Sequence, residues 1–122
     1  MKKSLITDSL IDNRGEIYIN KIKGKEFVVS YTKAGVCRGG DYHTGKQYNL
    51  VLKGRVEVTL RRNNKDVIKK YGANELIIIP ENIPHLFKAI TEAVLIEWKT
   101  GAEKSRFYEP YRKIINEYLI KK

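Results

Sequence analysis

The chain has 122 residues, 42% hydrophobic and 31% charged, the balance of a globular domain with its own core rather than of a disordered or fibrous chain. Its net charge of +10 attracts anions, but the lysines are scattered in short groups such as Lys21, Lys23 and Lys25, and Lys69-Lys70. Without a basic block, nucleic acid is disfavoured as a partner. No apolar run is long enough to span a bilayer, and the N-terminus MKKSLITDSL lacks an apolar signal core, so a cytoplasmic protein is expected. A single cysteine, Cys37, excludes an internal disulfide and argues against a cysteine-based metal site.

In chain order, Asp12-Asn13-Arg14-Gly15 is a turn signal that leads into a short alternating strand. Lys23-Gly24-Lys25 turns again, and Glu26 to Thr32 (EFVVSYT) is β-branched and aromatic, hence a strand. Residues 35–54, GVCRGGDYHTGKQYNLVLKG, crowd Arg38, Asp41, His43, Lys46 and Gln47 into the start of another strand. Arg55 to Arg61 alternates, with Val56, Val58 and Leu60 facing one way. Asn63-Asn64-Lys65-Asp66 is a hairpin turn, and DVIKKY returns from it. ELIIIP, residues 84–89 and AVLIEWK complete about eight strands. Short strands at this spacing predict an all-β barrel or jelly roll. Phe107, Tyr111, Ile114, Ile115, Tyr118 and Leu119 recur at helical spacing. A C-terminal helix over 103–122 is therefore expected, packed on a barrel of residues 1–102 or on a dimer partner.

The chain has two histidines, His43 and His85, each at a strand start beside polar residues. Alternation puts Asp41 and His43 on one face, and Gln47 and Asn49 on one face of the next strand. If those faces look inward, Asp41, His43 and Gln47 converge, and His85 joins them from across the barrel. Arg38 and Lys46 then supply positive charge at the mouth, a pocket suited to an anionic ligand with groups for proton transfer. Trp98, Tyr18, Tyr31 and Tyr48 are candidates for ring-stacking walls or a phenol acid, although each taken singly fits core or rim packing.

Two motifs carry a family resemblance. Gly35, Asp41, His43, Gln47 and Gly54 have the spacing of the first cupin motif, and Asn74, Pro80, Asn82 and His85 that of the second. Asn74 stands where glycine is usual and tolerates the same left-handed turn. Asp12-Asn13-Arg14-Gly15 resembles the D-x-R-G signature of dTDP-4-dehydrorhamnose 3,5-epimerases. Arg38-Gly39-Gly40 with Gln47, and the tail Phe107-Tyr108-Glu109-Pro110-Tyr111-Arg112, resemble the dTDP-4-keto-6-deoxyglucose 3,4-ketoisomerases.

This resemblance implies an all-β cupin jelly-roll barrel with a C-terminal α-helix, working as a homodimer without a metal. It also implies a nucleotide-diphosphate keto-sugar held in the barrel and isomerised or epimerised by proton transfer beside the keto group. Carried over by residue, His43 matches the second active-site histidine and Asp41 stands in the slot of the base. Arg38 contacts the diphosphate, Gln47 is the polar group on the following strand, and Trp98 falls near the epimerases' tyrosine acid. His85, Lys46 and Tyr48 complete the expected binding residues. A second reading takes Asp41, His43 and His85, with Gln47, as ligands to iron, manganese or zinc. A third is a sugar-nucleotide-binding cupin without catalysis.

Overall fold

The computed structural model describes residues 6–100 and 104–120; the turn at Gly101 and the side chains of Tyr118 and Leu119 lie outside the described residues. In chain order the strands are β1 (Ile6–Asp12), β2 (Gly15–Ile22), β3 (Lys25–Thr32), β4 (Cys37–His43), β5 (Gln47–Lys53), β6 (Val56–Arg62), β7 (Lys65–Tyr71), β8 (Leu76–Ile79), β9 (His85–Ala89), β10 (Ala93–Lys99) and β11 (Ser105–Phe107), followed by helix α1 (Glu109–Ile120). They form two antiparallel sheets, ordered β1-β2-β3-β10-β5-β8 and β11-β4-β9-β6-β7, facing each other as a jelly roll. No helix among the described residues is long and apolar enough to cross a membrane.

Alternation in the sequence decides what the sheets enclose. Val51, Ile77, Ile79, Ala93 and Leu95 from the first sheet meet Val56, Val58 and Ala89 from the second in one apolar cluster. These residues turn inward because side chains two apart share a face of the pleat. Farther along the same inner faces the residues become polar, and the cluster gives way to a cavity. The turns are chosen by residues that accept positive φ. Asn63 and Asn64, at +52° and +61°, join β6 to β7 in a two-residue loop with the twist of a type I′ hairpin. Asn74 sits at +70°, the left-handed position expected of it. Gly54 is required sterically, since a Cβ there would lie 2.1 Å from the carbonyl oxygen of Glu92.

Three elements differ from the sequence reading. β1, where no element was expected before the first turn, pairs along β2. The expected helix over 103–122 is interrupted, because Ser105–Phe107 first adds β11 to the edge of β4. Phe107 is accordingly 65% exposed and lies outside the helix. The strands number eleven among the described residues rather than about eight. Within α1, Tyr111 and Ile115 are the buried positions, one turn apart, and they close on Cys37 and Leu86 on the outer side of the second sheet. The Tyr111 hydroxyl donates to Asp66 Oδ1 at 2.5 Å, tying the helix to the β6–β7 hairpin.

Ile77 is 1% exposed in the middle of the core. Ile77→Ala should lower unfolding free energy by about 2–5 kcal/mol, read from denaturant titration, through lost transfer energy and the cavity left behind.

Candidate active site

β4 builds the site. Asp41 and His43 alternate onto its inner face. Arg38 precedes Asp41 by three positions, which in a regular strand would put the two side chains on opposite faces. Gly39 and Gly40, with φ of +97° and +75°, break that regularity, and the register with β9 shifts between Gly39 and Asp41. This bulge inserts one residue and returns Asp41 to the face that Arg38 occupies. Arg38, Asp41 and His43 therefore all line one cavity of about 250 Å³.

His85 opens β9 opposite Asp41 in the ladder and is 1% exposed. Its Nε2 lies 3.2 Å from Asp41 Oδ1, and His43 Nε2 lies 3.5 Å from the same oxygen. The two imidazole centroids are 5.2 Å apart. His85 Nδ1 faces the Ile83 carbonyl oxygen at 3.0 Å. A carbonyl only accepts, so Nδ1 carries the proton, and Nε2 is left to donate a second proton to Asp41 or to offer a lone pair. Burial pushes the Asp41 pKa up. The hydrogen bond from His85, the charge of either imidazole when it is protonated, and the charge of Lys99 outweigh that push and hold it below its ordinary value. β11 supplies a further partner, Ser105, whose Oγ is 2.5 Å from His43 Nδ1.

The facing wall comes from β5 and β10. Gln47 Nε2 donates to Asn49 Oδ1 at 2.7 Å and to Glu97 Oε1 at 3.1 Å, and Asn49 Nδ2 donates to Glu97 Oε1 at 3.4 Å. Lys99 Nζ pairs with Glu97 Oε2 at 3.1 Å. An ionised carboxylate only accepts, which fixes the Gln47 amide with its nitrogen toward Glu97. Gln47 Oε1 is then buried without a hydrogen-bond partner among the described residues.

Arginines occupy another part of the cavity. Arg14, 9% exposed, is held by Asp12 through Nη2–Oδ2 at 2.8 Å and through the backbone N–H to Oδ1 at 2.9 Å. Arg38 donates from Nε to Thr32 Oγ1 at 2.7 Å, while its Nη1 is buried without a partner among the described residues. Burial, assisted by the charge of Arg14 and opposed by Asp12, pulls the Arg38 pKa down to about 10. It remains a cation at neutral pH, with one donor unmet.

Of the residues expected from sequence, Arg38, Asp41, His43, Gln47 and His85 line the cavity together. Lys46, Tyr48 and Trp98 do not. Lys46 closes the turn before β5, its backbone N–H donating to Thr100 Oγ1 at 3.2 Å. Tyr48 and Trp98 stack on each other, centroids 5.6 Å apart, because inward-facing neighbours leave them on the outer face of the first sheet. Tyr18 and Tyr31 pair edge-to-face away from the cavity as well. Arg14, Asn49, Glu97, Lys99 and Arg112 line the cavity without having been singled out as site residues. Alternation along AVLIEWK carried the signal for Glu97 and Lys99, which share a face with Leu95.

The donor set also fits a divalent cation. Asp41, His43 and His85 each bring a ligand atom within 4.8 Å of the others. The orphaned Gln47 Oε1 is a further oxygen donor in the lining of the same cavity. Two imidazoles and a carboxylate suit iron, manganese or zinc.

Fold and motifs together make this a cupin barrel, with both motif histidines turned into one cavity. No protein-family model matches the sequence, and no curated protein matches it. Among solved structures, CapF in complex with the inhibitor 3-isopropenyl-tropolone is 26% identical with a TM-score of 0.65, over 77% of this chain and 30% of that one. The capsular polysaccharide assembling protein CapF from Staphylococcus aureus is 22% identical with a TM-score of 0.66, over 81% of this chain and 31% of that one. Oxalate decarboxylase from Bacillus subtilis at pH 4.6 shares the fold with a TM-score of 0.70 at 18% identity, over 83% of this chain and 30% of that one. The chain thus spans about 30% of the length of these structures.

The Asp12 pKa is held below its ordinary value of 3.8, chiefly by the hydrogen bond from the Arg14 side chain. A lowered carboxylate pKa gives stability that is present above the ordinary value and lost as pH falls through the folded one. Asp12→Asn should therefore lower the denaturation midpoint near neutral pH, with the gap to wild type closing below pH 3.8, as followed by urea titration across that range.

Proposed function

We propose that the protein is an isomerase or epimerase of a nucleotide-diphosphate keto-sugar, dTDP-linked by the resemblance of its signatures, acting in the cytoplasm. The observation that carries this reading is one cavity that joins the Asp41, His43 and His85 cluster to the unmet Arg38 donor beside Arg14. A volume of about 250 Å³ lies below the roughly 300–1,000 Å³ of sites that enclose drug-sized ligands, so it suits a sugar ring and the adjoining phosphate with the nucleoside left outside. The similarity to CapF, which in Staphylococcus aureus is a capsular polysaccharide assembling protein, supports a carbohydrate substrate.

In this reading the arginines take the phosphates and the sugar carbon lies beside the imidazoles. Asp41, ionised by its histidine partners, is a poor base and instead orients them; His43 accepts the proton from the carbon next to the keto group. Lys99 lies on the facing wall, where its charge stabilises the enolate oxygen that forms. Gln47 Oε1 accepts from a sugar hydroxyl.

The metal reading rests on its own observation, the three ligand atoms within 4.8 Å together with Gln47 Oε1. Asp41, His43 and His85 would hold the ion, which would supply Lewis-acid polarisation of an oxygen ligand. The chain's part is to orient those groups through Ile83 and Ser105.

Incubating the protein with a dTDP-4-keto-6-deoxy sugar in D2O should introduce deuterium beside the keto group, detected by mass spectrometry. His43→Ala should slow the exchange by about a hundredfold or more. Absence of exchange with wild type removes the enzyme claim, and tight binding without exchange favours a binding module. Stoichiometric iron, manganese or zinc in protein purified without added metal, lost in His43→Ala, favours the metal reading.

A second copy of the chain is the proposed partner. The outward row of the first sheet presents Val29 and Tyr31 from β3, Val94, Ile96 and Trp98 from β10, Tyr48, Leu50 and Leu52 from β5, and Leu76 and Ile78 from β8, on strands that are neighbours. An antiparallel sheet that faces water carries polar residues on that side. Four strands spaced about 4.8 Å apart give a continuous apolar patch of the scale that marks an interface. Light scattering should give twice the 14.1 kDa chain mass, and Ile96→Asp should halve it; a monomeric wild type would exclude this partner.

A further inference from the structure

The outer side of β4 is covered by α1, yet one residue of that helix lines the cavity on the inner side. Arg112 lies in the wall with Gly39, Arg38 and Asp41. The passage exists because of the glycine pair. At Gly40 an added Cβ would lie 2.9 Å from Arg112 Cδ, 3.0 Å from Ile115 Cδ1 and 3.1 Å from the Arg112 backbone nitrogen, so the helix rests on bare backbone. Both bulge carbonyls turn to the helix segment: Gly40 O accepts from the Tyr108 N–H at 2.8 Å, and Gly39 O from Arg112 Nη1 at 3.3 Å. The guanidinium also lies over the Phe107 ring, 4.6 Å from its centroid.

Its charge is the unusual part. Arg14 is paired with Asp12, and Lys99 with Glu97. Among the described residues no carboxylate lies within ion-pair distance of Arg112, whose contacts are a carbonyl, an amide oxygen and a ring. Around the cavity, Arg14, Arg38, Lys99 and Arg112 stand against Asp41, Glu97 and the Asp12 that neutralises Arg14, a surplus of one positive charge with the histidines neutral. A cavity with that surplus is completed by an anion.

We propose that Arg112 binds a phosphate of the ligand through the opening that Gly39 and Gly40 leave in β4, which makes the C-terminal helix part of the binding site rather than only a cover for the barrel. This rests on the nucleotide-sugar reading. A purely structural Arg112, tethering the helix to Gly39 O, is the competing role, and two variants separate them. Arg112→Gln keeps a donor for Gly39 O but loses the charge; Arg112→Lys keeps the charge but loses the planar fork. Calorimetric titration with dTDP at low and raised salt provides the readout, with thermal midpoints measured alongside.

The proposal expects Arg112→Gln to weaken dTDP binding by about tenfold or more, the scale of one charge-assisted hydrogen bond. It expects Arg112→Lys to recover most of the affinity, and the salt dependence of binding to be shallower in the glutamine variant. Equal affinity in Arg112→Gln and wild type overturns the proposal while leaving the nucleotide-sugar reading in place, as does a loss in both variants that tracks their thermal midpoints. Failure of the wild-type protein to bind dTDP overturns both.

Discussion

The bulge at Gly39 and Gly40 is the constraint on which the rest of the site depends. One inserted residue in β4 brings Arg38 and Asp41 to the same face, so an anion-binding group and the histidine-clasped carboxylate share a cavity. The same two glycines, lacking side chains, let α1 approach the strand and carry Arg112 to its edge. A residue with a Cβ at Gly40 would meet the helix, and its φ of +75° disfavours one in any case. The strand is therefore irregular where its chemistry is concentrated, a placement common for bulges.

Electrostatics inside the cavity follow from which groups are paired and which are left over. Asp41 is half-buried, which by itself pushes its pKa up, but the hydrogen bond from His85 and the charges around it reverse the direction. The carboxylate is thus better suited to holding cationic or donor groups than to abstracting a proton. On the facing wall, Gln47, Asn49, Glu97 and Lys99 satisfy one another except for a single amide oxygen. Near Arg14, one guanidinium nitrogen of Arg38 is unmet. An unmet acceptor and an unmet donor, both buried, cost stability unless a ligand satisfies them. A molecule with hydroxyls and an anionic group has that complementarity.

Much of this was legible in the sequence because it is local. Period-two alternation placed Val56 and Val58 in the core and Asp41 and His43 on one face, and Asn74 announced its left-handed turn. The spacing of the two histidine motifs carried the fold and the convergence of His85. What was missed depends on pairing across the chain. Ser105–Phe107 is strand rather than helix because the edge of β4 is open beside it, which no helical period reveals. Trp98, expected near the position of the epimerases' tyrosine acid, faces outward because Glu97 and Lys99 face inward. Lys46 sits in a turn whose direction the flanking strands set. Arg112 reaches the cavity only through a bulge that shifts register, an effect invisible to a count of positions.

The central claim is that one cavity holds the anionic and the reacting parts of a sugar nucleotide at once. An experimental structure of the protein soaked with dTDP-glucose tests it most directly. The diphosphate should lie within hydrogen-bond distance of Arg38 and the hexose ring beside His43 and His85, with Gln47 Oε1 accepting from a hydroxyl. A nucleotide bound elsewhere on the surface, with the groups around Asp41 untouched, would contradict it.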